Sequence, residues 1–146
     1  MQPLQFVVPI DALAALEPYI AHVAFALVLV NLLTRQRAHQ SYVAQAEQGV
    51  ETLSRYTPHV VTSVLLVLTS FVYLFIDPHP GMVLTTLVVA LFLSDFFEFE
   101  ARQGEARNGM EIERPKSSLV AAAVVVLYAG FQSVFFVIEP VWNAIV

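Results

Sequence analysis

Residues 58–97 read PHVVTSVLLVLTSFVYLFIDPHPGMVLTTLVVALFLSDFF, and this stretch decides the fold. Two apolar runs, 58–76 and 82–97, flank the segment Asp77-Pro78-His79-Pro80-Gly81, and Asp95 is the one Asp, Glu, Lys or Arg inside them. As helix, at about 1.5 Å per residue, such runs are near the short end of what a bilayer's apolar thickness requires. A membrane strand needs only about ten residues, with strict alternation, and these runs do not alternate. The stretch reads as a helical hairpin, with two prolines expected to hold the connection as a tight turn.

Two further runs extend the pattern, 18–34 opened by Pro18 and 118–138 preceded by Pro115. The predicted architecture is an all-α, four-transmembrane-helix bundle in a single domain. Loop 35–57 joins spans one and two, and loop 98–117 joins spans three and four. Tyr42, Val43, Ala46, Val50 and Leu53 recur near helical spacing, predicting an amphipathic helical extension between spans one and two. Glu98 to Arg107 should prolong the third helix as far as Asn108-Gly109, a turn dipeptide. Asp11 is expected to cap a short helix over Ala12–Leu16, inside an apolar lead-in that also holds Pro3, Pro9 and Glu17.

Charge orients this arrangement. All seven basic residues lie in the two connecting loops: Arg35, Arg37 and Arg55 in the first, Arg102, Arg107, Arg114 and Lys116 in the second. Lys and Arg in short loops resist translocation, so both loops are predicted cytoplasmic and both termini outside, in the cell membrane. Residues 1–10 carry no basic residue, so the first span is expected to act as its own insertion signal rather than follow a cleavable leader.

Composition narrows the function. The chain is 58% hydrophobic and 13% charged, against about 25% charged in a soluble domain, and its mean hydropathy is +0.69. Its basic residues are interleaved with carboxylates, whereas nucleic-acid binding needs a one-sided basic patch; no nucleic-acid partner is expected. There is no cysteine, which removes thiolate nucleophiles, disulfides and Cys-type metal sites. No nucleophile–base pair, phosphate loop or metal signature is present. The chain reads as a non-enzyme with no cofactor and no metal site.

Asp95 is the most informative single residue. An ionisable group at membrane depth points to function and to a partner. Glu98 and Arg102 stand below it on the same helix, Arg102 is placed to pair with Glu98 at i+4, and Asp95 itself would look across to Arg35, Arg37 or His59. The competing reading makes Asp95 the first wet residue of the third helix. His22, Asn31 and Gln132 are expected to supply interhelical hydrogen bonds worth about 0.6–2 kcal/mol each. Small residues mark faces where helices approach in lipid: Thr86, Ala90 and Ser94 on the third span, Ser118, Ala122, Ala129 and Ser133 on the fourth, and Thr62 and Thr69 with Tyr73 on the second. Phe92, Phe96 and Phe99 share one face. The two hairpins also repeat an order of features, with Arg55…Pro58 answering Arg114-Pro115, Asp77-Pro78 answering Glu139-Pro140, and Asn31 answering Asp95; duplication about an axis along the membrane normal would give this order, and so would shared helix punctuation.

The stretch Ser94-Asp95-Phe96-Phe97-Glu98-Phe99-Glu100-Ala101-Arg102, with Glu113-Arg114-Pro115-Lys116 and Pro140-Val141-Trp142-Asn143, resembles a family of small uncharacterised four-span membrane proteins of halophilic archaea. The resemblance covers essentially the whole chain and implies an archaeal cell membrane; it implies no reaction. The expected role is a non-catalytic accessory, scaffolding or assembly subunit, partnered by the bilayer and by other membrane proteins or further copies of itself. Arg102, Arg107, Arg114 and Lys116 are the candidate docking residues. The alternatives are a homo-oligomeric carrier or channel for ions or protons using Asp95, and a membrane-embedded redox or lipid enzyme.

Overall fold

A computed structural model describes residues 10–146; Pro3 and Pro9 lie outside that range. The order is α1 (Ile10–Ala14), α2 (Glu17–Glu47), α3 (Thr57–Ile76), α4 (Pro78–Arg107) and α5 (Lys116–Ile145). Helices α2 to α5 are each long and apolar enough to cross a membrane. They close a ring in which α2 packs on α3 and α5, and α4 packs on the same two. The described residues therefore form an up-and-down bundle with one end carrying α1 and the C-terminus and the other, the basic end, carrying the two loops.

The helices depart from the expected boundaries for identifiable reasons. Asp77 alone separates α3 from α4, its backbone extended at φ −137°. Pro78 and Pro80 open α4 instead of forming a loop, because first-turn residues have no intrahelical acceptor and a missing N–H costs nothing there. At Gly81 an added Cβ would come within 2.7 Å of the Tyr73 carbonyl carbon and closer still to the Leu74 backbone; only glycine lets the hairpin close this tightly. Helix α2 continues past its span as far as Glu47 but not through Val50 and Leu53, because Gly49 takes a left-handed φ of 78° and ends it. Asp11 falls inside α1, in its first turn, rather than ahead of it. Helix α5 runs through Pro140 to Ile145.

The membrane core is filled by Val28, Leu66, Leu84, Val88 and Val125, all fully buried, with Ala24, Ala122 and Ala129 allowing close approach. Ser118 and Ser133 are buried on the same face of α5 as Ala122 and Ala129, and Thr62 and Tyr73 are buried on α3. Helix α4 behaves differently. Its inward face is Gly81, Leu84, Val88 and Leu91, whereas Thr86 and Ala90 are exposed and Ser94 is half-buried. Two residues of helix rotate a side chain by about 200°, so the Gly81 contact that turns Leu84 inward turns Thr86 away.

A second, smaller core lies at the basic end, beyond the four predicted spans. Leu53, Phe99 and Ile112 are buried together, with Tyr42, Val43, Ala46 and Ala106 packed around them. Two glutamines pin one loop over it. Gln103 accepts from Leu53 N–H at 2.7 Å and donates to Leu53 C=O at 2.9 Å, and Gln45 does the same for Ser54 at 2.8 and 3.2 Å. The other loop is held by Glu105, which accepts from the Glu113 N–H at 3.1 Å.

Candidate functional site

Between the two cores lies a cluster of charged groups. Arg35, on α2, is buried with 3% of its side chain exposed and pairs through Nη1 with Oδ1 of Asp95 on α4. Its Nη2 donates to Asn31 Oδ1 at 2.7 Å. Asn31 in turn donates to Thr62 Oγ1 and Ser63 Oγ, both at 3.0 Å. His59, near the start of α3, brings Nε2 to 3.5 Å from Asp95 Oδ2, and its Nδ1 lies 3.0 Å from the Thr34 hydroxyl. Asp95 therefore meets Arg35 and His59, two of the three groups the sequence placed opposite it, and the third, Arg37, is exposed.

Glu98 and Arg102 do not pair with each other. Glu98 receives the N-terminus of α5: its Oε1 accepts from Ser117 N–H at 2.8 Å and Ser118 N–H at 3.1 Å, its Oε2 accepts from Ser118 Oγ at 2.8 Å, and the Ser117 hydroxyl donates to it as well. Free N–H groups and the positive end of the helix dipole hold a carboxylate better than an i+4 pair does. Arg102 reaches Glu105 Oε2 at 2.7 Å and donates to the Glu113 and Arg114 carbonyls at 2.7 and 3.3 Å. It is only 9% exposed, and its contacts fasten the 108–115 loop. Arg102 is thus withdrawn from the surface expected for docking, while Arg107, Arg114 and Lys116 remain exposed.

The remaining polar candidates lie higher in the bundle. His22 Nδ1 contacts Ser133 Oγ, joining α2 to α5. Tyr73 OH donates to Gln132 Oε1 at 3.3 Å, joining α3 to α5, and Gln132 donates to Tyr128 OH at 3.2 Å.

Below and beside the Arg35–Asp95–His59 cluster opens a cavity of about 430 Å³. Its walls mix apolar groups (Tyr42, Val60, Val64, Phe92, Phe96, Phe99) with charged and polar ones, among them Arg55 and His39. The Arg55 guanidinium lies 3.9 Å from the Phe99 ring centroid and 5.6 Å from that of Phe96, and Tyr42 meets Phe99 edge-on at 5.5 Å. His39, on the part of α2 beyond the span, is held below its ordinary pKa by burial and then by the charges of Arg114 and Arg102. The cavity and the two glutamine clasps were not legible in the sequence, since the residues that build them come from three helices and both loops and carry no shared spacing.

The family model described as a domain of unknown function (DUF7313) matches residues 2–146, and the chain belongs to that family. Neither the curated proteins nor the solved structures contain a match to it.

Proposed function

We propose that this DUF7313 protein is a non-catalytic accessory subunit of a membrane complex, set in the archaeal cell membrane with its basic end in the cytoplasm and both termini outside. The observation that carries this reading is the second core. Leu53, Phe99 and Ile112 give the basic end a packed interior of its own, and the Gln45, Gln103 and Glu105 clasps fix both loops on it. A chain that only had to span the bilayer would need neither. The result is a rigid platform that displays Arg107, Arg114 and Lys116, and basic groups on a fixed surface favour polar docking to an acidic partner. The carrier reading has less support: Val28, Leu66, Leu84, Val88 and Val125 fill the mid-section, and Asp95 is already neutralised by Arg35.

The test is gentle extraction of a tagged chain, with mass determination and identification of whatever accompanies it. A stoichiometric membrane partner that is lost on Arg107→Glu, Arg114→Glu and Lys116→Glu together is the expected result. Unchanged co-purification, or a homogeneous homo-oligomer with no partner, would overturn the reading.

A further inference from the structure

We propose that the cavity at the basic end is a binding site for one anionic lipid of the adjacent leaflet, its headgroup on Arg55 and its hydrocarbon chain in the groove between α3 and α4. Most charges near the cavity are already committed. Arg35 holds Asp95, Glu98 holds the first amides of α5, and Arg102 holds Glu105 and two loop carbonyls. Arg55 is the exception among the three arginines that line the cavity, and the exposed Glu113 carboxylate on the wall lies 3.9 Å from Arg102. The ion pair of Arg55 with Glu100 is long, 4.0 Å, and both side chains are exposed, 43% and 57%. Stacking on Phe99 nevertheless fixes its guanidinium at the cavity wall, so a headgroup would meet a preoriented cation.

Arg55 stands just ahead of α3, at the depth where a span ends and headgroups begin. From there Val60 and Val64 on α3, with Phe92 and Phe96 on α4, line the same cavity. These four are 37% to 44% exposed, so they form an open apolar track leading from Arg55 toward the hydrocarbon. A free phosphate has no use for that track; a lipid does. At about 430 Å³ the space falls within the roughly 300–1,000 Å³ of small-molecule sites, enough for a headgroup and the first methylenes. His39 on the same wall is held below its ordinary pKa first by burial and then by the positive charges of Arg114 and Arg102, two more cations near the cavity. Basic pockets between membrane helices are a general device for anionic headgroups.

Native mass spectrometry of the full chain in mild detergent tests this directly, with phosphatidylglycerol and phosphatidylcholine of identical acyl chains as probes. The expected result is one phosphatidylglycerol retained per chain under activation that strips phosphatidylcholine. Arg55→Gln should weaken that retention about fivefold, the worth of one basic residue near an anionic headgroup, and Arg55→Lys should keep most of it. Val64→Trp, which fills the track and leaves the charge alone, should weaken retention too, while Arg107→Gln should not. Circular dichroism checks that each variant keeps its helix content. Equal retention of the two lipids, wild-type retention by Arg55→Gln, or displacement of the lipid by millimolar inorganic phosphate would overturn the proposal, the last by identifying a free anion as the ligand.

Discussion

Arg35 and Asp95, sixty residues apart in sequence, meet across the bundle from the same register of two matching helices. Each stands fourteen residues ahead of the left-handed glycine that follows its helix, Gly49 or Gly109. The helices themselves have 31 and 30 residues, and each starts at an acid-proline step, with Glu17 the first residue of α2 and Asp77 the residue just ahead of α4. Gln45 and Glu105, also sixty apart, each accept from a backbone N–H in the loop that follows. The partner of Asp95 in this correspondence is thus Arg35, not the Asn31 that the order of features in sequence had paired with it.

Removing one member of the pair should therefore be worse than removing both. Arg35→Leu leaves Asp95 facing the bundle without its guanidinium and is expected to cost about 3–5 kcal/mol. Arg35→Leu with Asp95→Leu should recover most of that, and the exchange Arg35→Asp with Asp95→Arg should be tolerated, because the two sites are equivalent in register. Thermal unfolding in detergent micelles measures all three; a double variant as unstable as the single one would show that the pair does more than neutralise itself.

Two glycines should respond oppositely to alanine. Gly81→Ala drives a Cβ into the Tyr73 and Leu74 backbone and should cost about 3 kcal/mol or more, at the upper end of overpacking penalties. Gly49→Ala meets nothing within 4 Å and only strains a φ of 78°, for about 1–2 kcal/mol. The same unfolding assay ranks them, and a reversed order would contradict the hairpin geometry.

Glu98→Ala should loosen the start of α5. It removes a charged acceptor from two backbone amides and two hydroxyls, a loss of about 1–2 kcal/mol by analogy with helix caps. Hydrogen exchange at Ser117 and Ser118 should accelerate while exchange in the middle of α3 stays slow. Arg102→Gln, by contrast, should act on the 108–115 loop, because its partners are Glu105 and the carbonyls of Glu113 and Arg114.

Liposomes carrying the purified chain should show no proton flux under a pH gradient, and Asp95→Asn should change nothing. The fully buried Leu66, Leu84, Val88 and Val125 leave the mid-section closed. Flux in the wild type that disappears in Asp95→Asn would instead establish the carrier.

What the sequence disclosed was governed by periodicity and by cost. Four apolar runs announce four helices because a bilayer imposes their length, and Asp95 stands out because a charge at that depth demands a reason. The face each helix turns inward was harder to read. On α5 the small residues are buried, and on α4 an equally regular Thr86–Ala90–Ser94 row is turned away by a single backbone contact at Gly81. Glu98 misled for a related reason: the basic residue nearest to it in sequence, Arg102, is on its own helix, but its best partners are amides at the start of another, 19 and 20 residues on. Gln45 and Gln103 look like ordinary surface residues until the loops they clasp are in place.

The single residue between α3 and α4 has a mechanical consequence. With Asp77 alone joining them and Gly81 seated against Leu74, neither helix can slide along the other or lengthen its connection. At the far end His59 of α3 lies 3.5 Å from Asp95 of α4, so the pair is held at both ends, and the groove lined by Val60, Val64, Phe92 and Phe96 opens beside Arg55 between two fixed walls.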